Sequence, residues 1–167
     1  MEGDQNKGLS NHQIYTIAKL HFHTKHLFRN CYTPDTLPEM VEFPSCFVCN
    51  TSLSWQAGVH WLALFCPSPY TPSEIFDSRA MGTDAYSNLV EKFLLRNGNG
   101  TYKINTFAYQ PETTYTCGYF ALTFLDWRCA GVTFEEGVKR FSKTKLEQND
   151  LLVQDYVYAH MSPLSLT

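Results

Sequence analysis

The segment QPETTYTCGYFALTFLDW, residues 110–127, joins a polar stretch containing proline to an almost uninterrupted apolar stretch. The part after Cys117 is apolar nearly all round, which is typical of a helix at the centre of a domain. Cys117 therefore lies at a predicted junction between a loop and a helix, where the positive end of the helix dipole favours the reactive thiolate. Gly118 would let a substrate backbone approach closely. The alternative interpretation of Cys117 is a buried thiol that opens a core helix.

Apolar patterning predicts strands and helices on both sides of this segment. The run 59–67 is almost continuously apolar, which indicates a central strand buried on both faces. Further strands are predicted at 45–52, 74–78 and 101–109. Helices are predicted at 11–26 from a capping box at Ser10, at 84–96 with Asp84 as its cap, after Thr133, and from Asn149 or Asp150 to Met161.

Length and composition indicate one folded domain spanning residues 1–167. A chain of 167 residues fits the usual domain size of about 100–200 residues. Hydrophobic residues make up 44% and charged residues 17%, which is typical of a globular protein rather than a disordered one. The predicted class is α+β, with a central mixed or antiparallel sheet packed on helices and Cys117 at the N-terminus of a central helix.

Charge and hydropathy argue against several classes of protein. There are 13 basic and 16 acidic residues, a formal charge of −3, so a constitutive coat on nucleic acid is not expected. The longest strictly apolar run, 61–66, is far shorter than a membrane span. Residues 1–6 are polar and acidic, unlike a secretory signal. We therefore expect a soluble protein of a reducing compartment that is not secreted and has no membrane partner.

Two cysteine and histidine motifs could suggest a metal site. All six cysteines are expected to be thiols in a reducing compartment. Cys46 and Cys49 form a C-x-x-C motif, but in a strand they point to opposite faces, so neither a zinc site nor a redox pair is expected. The cluster His21-x-His23-x-x-His26 is interpreted as a polar helix end, because no second ligand set has zinc spacing. The prediction is therefore no metal and no cofactor.

Three further residues can complete a reactive site around Cys117. His60 is the only histidine in an apolar strand context, and a cysteine nucleophile needs a base. Asp77 follows in the next strand, where a carboxylate could orient the imidazole. Gln110 precedes Cys117 by 7 residues, and its amide could donate to an oxyanion beside the N–H of Cys117. The alternatives are a structural histidine, an aspartate that caps a strand end, and a solvated glutamine.

The order of these residues resembles that of the adenovirus protease (adenain) family. The matching pieces are Gly58-Val-His60-Trp61, Phe76-Asp77-Ser78, and Gln110 through Cys117-Gly118. The strand that begins at Cys46 also takes part, so the resemblance covers roughly residues 9–130. The order His, Asp, Gln, Cys is more broadly similar to proteases of SUMO and ubiquitin-like proteins. In those enzymes the spacing from Gln to Cys is usually one residue shorter, so the adenain family is the better match.

The resemblance implies a papain-like or adenain-like cysteine protease fold and a role for each site residue. Cys117 would be the nucleophile, His60 the base, Asp77 the residue that orients His60, and Gln110 a donor in the oxyanion hole. Asp77 stands where adenovirus enzymes commonly have Glu, a change that keeps the chemistry.

The family resemblance also implies a substrate class and a biological setting. The family prefers small residues, especially Gly, at the cleavage site, and a narrow tunnel near Trp61 and Gln110 would explain this preference. Trp61 and Gly118 are therefore expected to contact the substrate. The implied function is a cysteine endopeptidase that cleaves viral precursor proteins during virion maturation. It would be encoded by a DNA virus or a virus-derived transposon, and would act as a monomer in the host nucleus or cytoplasm and in the virion.

Activation is expected to differ from that of the adenovirus enzyme. That protease is basic and is activated by DNA and by a viral peptide bonded through a cysteine. This chain is acidic, and residues 98–100, Gly-Asn-Gly, contain no cysteine. We therefore expect weak or no dependence on DNA and no covalently bound activator, whereas an activating peptide bound in another way remains open. Lys139, Arg140, Lys143 and Lys145 form the one basic run, interpreted as the solvated face of a short helix.

Two alternative functions remain open from the sequence. The first is a deubiquitinase-like or deSUMOylase-like protease that acts on ubiquitin-like modifiers, which differs only in its substrate. The second is a non-catalytic interaction module that kept the fold.

Overall fold

The computed structural model describes residues 8–161 and contains a five-stranded mixed sheet. The strands lie side by side in sequence order, with β3 antiparallel to its neighbours β2 and β4, and the two outer pairs, β1–β2 and β4–β5, parallel. Their bounds are β1 Phe28–Tyr32, β2 Ser45–Asn50, β3 Trp61–Cys66, β4 Ser73–Phe76 and β5 Tyr102–Ile104. The α+β class with a mixed central sheet, predicted from the sequence, is confirmed.

Within residues 8–161, five α-helices cover both faces of this sheet. They are α1 Asn11–Leu20, α2 Asn88–Arg96, α3 Cys117–Cys129, α4 Phe134–Lys139 and α5 Leu146–Tyr156, the last continued by one wider turn at Val157–Met161. Helix α3 packs against one face of the sheet and α2 against the other, so each face has its own apolar core. None of the helices within residues 8–161 is both long and apolar enough to cross a membrane.

The two faces explain why β2 and β3 are apolar along their whole length. All six residues of β2 are buried, as are all but the first of β3. Successive side chains alternate between the two cores, so Cys46 packs with the α3 core and Cys49 with the α2 core. The prediction that these cysteines point to opposite faces is confirmed. Cys46 instead lies beside Cys129 of α3, with 3.8 Å between their sulfur atoms.

Helix α3 is buried on nearly all sides, as its apolar sequence predicted. Phe124 stacks on Phe76 at the end of β4, with ring centroids 4.6 Å apart and planes 9° from parallel. Phe134 of α4 packs edge-on against the ring of Phe124. This aromatic contact joins the central helix to the end of β4, one residue before Asp77.

The first predicted helix is too long, and the strand that follows it was missed. α1 begins at the expected capping box on Ser10 but ends at Leu20, because His21 adopts an extended conformation. The hydroxyl of Thr24 then donates to the carbonyl of Ala18 at 2.6 Å and stabilises a turn that leads into β1. The histidine cluster thus lies in this turn and not on a helix.

Three other predicted boundaries are wrong for local reasons. The predicted strand 101–109 ends at Ile104, because the next side chain, Asn105, binds the backbone of a neighbouring segment. α2 begins at Asn88 with Ser87 as its cap, while Asp84 lies in a short 3₁₀ helix.

The last helix begins at Leu146, three residues before the earlier of its two proposed caps. Asn149 and Asp150 point into the protein rather than capping the helix. Asn149 donates to the carbonyl of Tyr109 at 3.0 Å, and Asp150 accepts from the hydroxyl of Thr116 at 2.6 Å. Both side chains therefore bind the segment that leads to Cys117.

The stacked core predicts a large loss of stability when Phe124 is truncated. Phe124 is fully buried, so Phe124→Ala should lower the free energy of unfolding by about 3–5 kcal/mol through lost burial and a residual cavity. Phe22→Ala, at a side chain that is 74% exposed, is the matched control and should change it by less than about 0.5 kcal/mol. Urea denaturation of both variants measures the difference. Equal losses would contradict the assigned core.

Candidate active site

Cys117 is the first residue of α3 and is 8% exposed. The preceding residue, Thr116, donates its hydroxyl to Asp150 at 2.6 Å, which fixes the turn into the helix. The thiol is thus at the positive end of a 13-residue helix dipole, as the sequence predicted. That position favours the negatively charged thiolate over the neutral thiol.

His60 and Asp77 form a buried pair at adjacent strand ends. Nε2 of His60 and Oδ1 of Asp77 are 2.7 Å apart, and both side chains are almost completely buried. In the antiparallel register Ala63 lies opposite Phe76. Continuing the register by one pair puts Asp77 opposite Leu62, on the same face as His60 and within reach of its ring. The predicted side-by-side placement is confirmed.

The Asp77 carboxylate has further donors that hold it in its charged form. The backbone N–H of Arg79 donates to Oδ1 at 3.0 Å, and that of Met81 donates to Oδ2 at 2.9 Å.

The sequence prediction missed Asn105, the residue that positions the backbone of Asp77. Its Oδ1 accepts from the Asp77 N–H at 2.8 Å, and its Nδ2 donates to the Asp77 carbonyl at 2.7 Å. The only signal for Asn105 was a polar residue within a predicted strand.

The pKa values of the three groups move in the directions that favour a charged pair. Burial alone would raise the pKa of Asp77, but the hydrogen bond and charge of His60 and the two backbone donors lower it. Burial alone would lower the pKa of His60, but Asp77 and Cys117 together raise it to about 9. Burial alone would raise the pKa of Cys117, but His60, the N–H of Trp61 and the charge of Arg79 lower it below its ordinary value.

The second ring nitrogen of His60 remains for the thiol. Nε2 is used by Asp77, so Nδ1 is the ring nitrogen left to interact with the thiol. Nδ1 is buried and has no partner with full hydrogen-bond alignment among the described residues. His60 and Cys117 are therefore neighbours that shift each other's pKa without an aligned hydrogen bond in this conformation. Such contacts are often loose before substrate binds and tighten in the complex.

Gln110 is buried under the loop that precedes Cys117. Its Oε1 accepts from the hydroxyl of Ser78 at 2.6 Å, and its Nε2 donates to the carbonyl of Thr114 at 2.9 Å. The Ser78 carbonyl also accepts from the backbone N–H of Gln110 at 3.0 Å. Nε2 also lies 3.4 Å from the hydroxyl oxygen of Thr114, so Thr114 contacts the amide through two oxygens and fixes its orientation. The role of Gln110 in an oxyanion hole stays a prediction.

Arg79 is a charged residue near Cys117 that sequence reasoning missed. Its Nη2 donates to the Thr114 carbonyl at 2.8 Å, the same carbonyl that Gln110 contacts. Its positive charge contributes to the lowered pKa of Cys117, and both residues line one small cleft. Nothing in its spacing distinguished it from an ordinary surface arginine.

Trp61 and Gly118 both contact the segment before α1. Nε1 of Trp61 donates to the Leu9 carbonyl at 3.1 Å. A side chain at Gly118 would come within 3.1 Å of Leu9 and 3.2 Å of Ile14, so this close packing is a sufficient reason for glycine. Trp61 borders the cleft next to Cys117, whereas contact between substrate and Gly118 stays a prediction.

The cleft at Cys117 is narrow, with a volume of about 250 Å³. A side chain at Gly58 would come within 3.0 Å of the Asn50 amide, so a larger residue at position 58 would force Asn50 to move. The residues that line the cleft are Gly8, Leu9, Asn50, Gly58, Val59, Trp61, Arg79, Tyr115 and Cys117.

The arrangement of Cys117, His60 and Asp77 can perform acyl transfer. The thiolate would attack a carbonyl carbon, and the imidazolium would then give its proton to the leaving amine.

The pKa directions predict how the alkylation of Cys117 depends on pH. The rate of reaction with iodoacetamide should already be high below pH 9, the ordinary pKa of a thiol, and should change again near pH 9 as His60 loses its proton. Asp77→Asn removes the charge that favours the imidazolium, so the His60 step should move to lower pH and the thiol step to higher pH. Shifts of about one unit or more are expected. Mass spectrometry of the Cys117 peptide measures the rates, and an unchanged profile in Asp77→Asn would contradict the pairing.

Comparison with known proteins concerns the fold. No protein family matches this sequence, and no curated protein matches it. The structure is similar to the crystal structure of the ASFV pS273R protease, with a TM-score of 0.47 and 19% sequence identity. The similar region covers 71% of this chain and 44% of that protease, so this chain spans less than half of the protease's length. At this identity the functional argument depends on the geometry of the site.

Proposed function

We propose that this chain is a cysteine endopeptidase with Cys117 as nucleophile, His60 as base and acid, and Asp77 as the residue that orients His60. The observation that carries the proposal is the buried pair of His60 and Asp77, 2.7 Å apart, beside a thiol whose pKa is lowered at a helix N-terminus. A structural cysteine in an apolar core would have a raised pKa instead. Cys66 is an example in this chain, because burial raises its pKa to about 12.

The narrow cleft supports a preference for small residues next to the cleaved bond. Pockets for drug-sized ligands usually span about 300–1,000 Å³, and the cleft here is about 250 Å³. Trp61 borders it with an indole fixed by the Leu9 carbonyl, so a large side chain would have to displace a bound ring. Gly or another small residue would fit without such a change.

Viral precursor proteins are the proposed substrates, and virion maturation the proposed setting. Support comes from the adenain-like order of Gly58-Val-His60-Trp61, Asp77, Gln110 and Cys117-Gly118. A Gly-Gly tail of a ubiquitin-like modifier would also fit a cleft of this width, so a deconjugating protease is the second candidate. The lowered pKa of Cys117 argues against a non-catalytic module.

Peptide cleavage tests the proposed nucleophile. The purified protein should cleave fluorogenic peptides with Gly before the cleaved bond faster than peptides with Leu there. Cys117→Ala should abolish cleavage while leaving the thermal midpoint of unfolding nearly unchanged. Cys31→Ala is the matched control, because burial raises the pKa of that thiol to about 12 and it lies on β1, outside the cleft; it should cleave normally.

The outcomes separate the candidate functions. Cleavage of precursor peptides but not of Gly-Gly-tailed modifiers supports the first candidate, and the reverse supports deconjugation. Ordinary cleavage by Cys117→Ala would overturn the nucleophile assignment. No cleavage together with no labelling of Cys117 by a thiol-reactive probe would favour the interaction module.

Cleavage is expected to proceed without DNA. Two cations of the basic run lie on aromatic rings: Arg140 is 4.6 Å from the centre of Trp127, and Lys143 is 3.9 Å from that of Phe107. Four basic residues in a chain of net charge −3 would bind DNA phosphates only weakly. Peptide turnover should therefore be the same with and without duplex DNA at low and moderate salt.

A variant set makes the test of DNA dependence specific. In one variant the four basic residues of the run are replaced by Gln, and in the control the exposed Lys25 and Lys92 are replaced. Neither variant should alter turnover with DNA. A salt-sensitive stimulation by DNA that disappears only when the basic run is neutralised would show that the run binds DNA.

A further inference from the structure

Three groups that commonly bind metal ions meet on the α3 side of the protein, away from Cys117. They are the imidazoles of His21 and His23, in the turn after α1, and the carboxylate of Asp126 in α3. One ligand atom from each residue lies within 4.8 Å of the other two. Spacing along the sequence could not reveal this group, because Asp126 is 103 residues from His23.

Both imidazoles direct a nitrogen at the same carboxylate oxygen. Nε2 of His21 is 2.7 Å and Nδ1 of His23 is 2.8 Å from Oδ1 of Asp126. The two rings stand nearly perpendicular, with centroids 5.3 Å apart. Two nitrogens and one oxygen thus converge on one small region, which is the donor set of a three-residue zinc site with a fourth position for water.

The buried Nε2 atom of His21 indicates that this side chain binds a further partner besides Asp126. Its Nε2 is buried and, although close to Oδ1, is not aligned with it as a hydrogen bond. A buried polar atom without a proper partner needs an explanation, and an ion is one of the usual ones. Zinc bonds of 2.0–2.1 Å would place ligand atoms about 3.3 Å apart, so each imidazole nitrogen needs to move away from Oδ1 by only roughly 0.5 Å. The two nitrogens already lie within 4.8 Å of each other.

The surroundings also suit a bound metal ion. The other carboxylate oxygen, Oδ2 of Asp126, accepts from the hydroxyl of Tyr156, an outer partner that would orient the metal-binding carboxylate. Asp126 itself is 1% exposed, while the His23 side chain is 37% exposed. The site is therefore anchored in the core and open to solvent on one side, so that an ion and a water ligand can enter.

We propose that His21, His23 and Asp126 bind a divalent transition-metal ion, with Zn²⁺ as the first candidate because imidazole and carboxylate ligands suit it. The ion would connect the turn after α1 to α3, the helix whose first residue is Cys117. Asp126 lies nine residues further along α3, about 13 Å from Cys117 along the axis, so the ion would act on stability rather than on the reaction. This proposal is independent of the proposed protease activity.

The test uses the complete chain carrying Cys117→Ala, so that the nucleophile thiol cannot compete for metal. Titration with Co²⁺, followed by visible absorption, should show one tetrahedral site per chain without a thiolate-to-metal charge-transfer band. Calorimetric titration with Zn²⁺ should give one site, and Zn²⁺ should raise the thermal midpoint of unfolding. A thiolate band would place the metal on cysteine and would overturn the proposal.

Substitution of the partly exposed His23 tests the ligand set without disturbing the core. His23→Ala should weaken Zn²⁺ binding by at least the roughly 10- to 100-fold that loss of an outer partner costs, and should abolish the thermal shift. His26→Ala, at the exposed third histidine of the motif, is the matched control and should bind normally. Tyr156→Phe should weaken binding less than His23→Ala. Equal affinity in His23→Ala and His26→Ala, or no Zn²⁺ binding by the parent protein, would show that the three residues form only a hydrogen-bonded network.

Discussion

The buried contact between His60 and Asp77 is the interaction on which the rest of the site depends. Charged groups are costly to bury unless each has a partner. Here the carboxylate of Asp77 is paired with the imidazole of His60 and accepts hydrogen bonds from two backbone N–H groups. The same contact raises the pKa of His60, and a charged imidazole in turn lowers the pKa of Cys117. The lowered pKa of the thiol therefore depends on the ends of two strands and not on the helix alone.

The three residues Asp77-Ser78-Arg79 connect the sheet to every other part of the site. Asp77 binds His60, Ser78 binds Gln110, and Arg79 binds the carbonyl of Thr114 in the loop before Cys117. A change in this short segment would therefore move His60, Gln110 and the loop before Cys117 together. The stacking of Phe76 on α3 fixes the segment at its start, which explains how an aromatic core contact can position polar chemistry.

The sequence predicted the parts of the site whose residue type and local setting are unusual. Cys117 opens an apolar helix, and His60 and Asp77 lie at the ends of apolar strands, so each was visible from its neighbours. Asn105 and Asp150 act instead through contacts with backbone or side chains that are distant in the sequence, which have no spacing signature. β1 was missed because a capping box and helical spacing marked α1 clearly, whereas the end of that helix depends on Thr24 bonding back to Ala18. The His21, His23 and Asp126 cluster was missed for the same reason as Asn105.

The protonation state of His60 at neutral pH tests most directly whether a thiolate–imidazolium pair exists. Nitrogen NMR of the protein with labelled histidine rings reports both ring nitrogens of His60 separately. A pKa raised to about 9 by Asp77 and Cys117 predicts that both nitrogens carry protons at neutral pH. One protonated and one bare nitrogen at that pH would mean a neutral imidazole, and would contradict the charged pair.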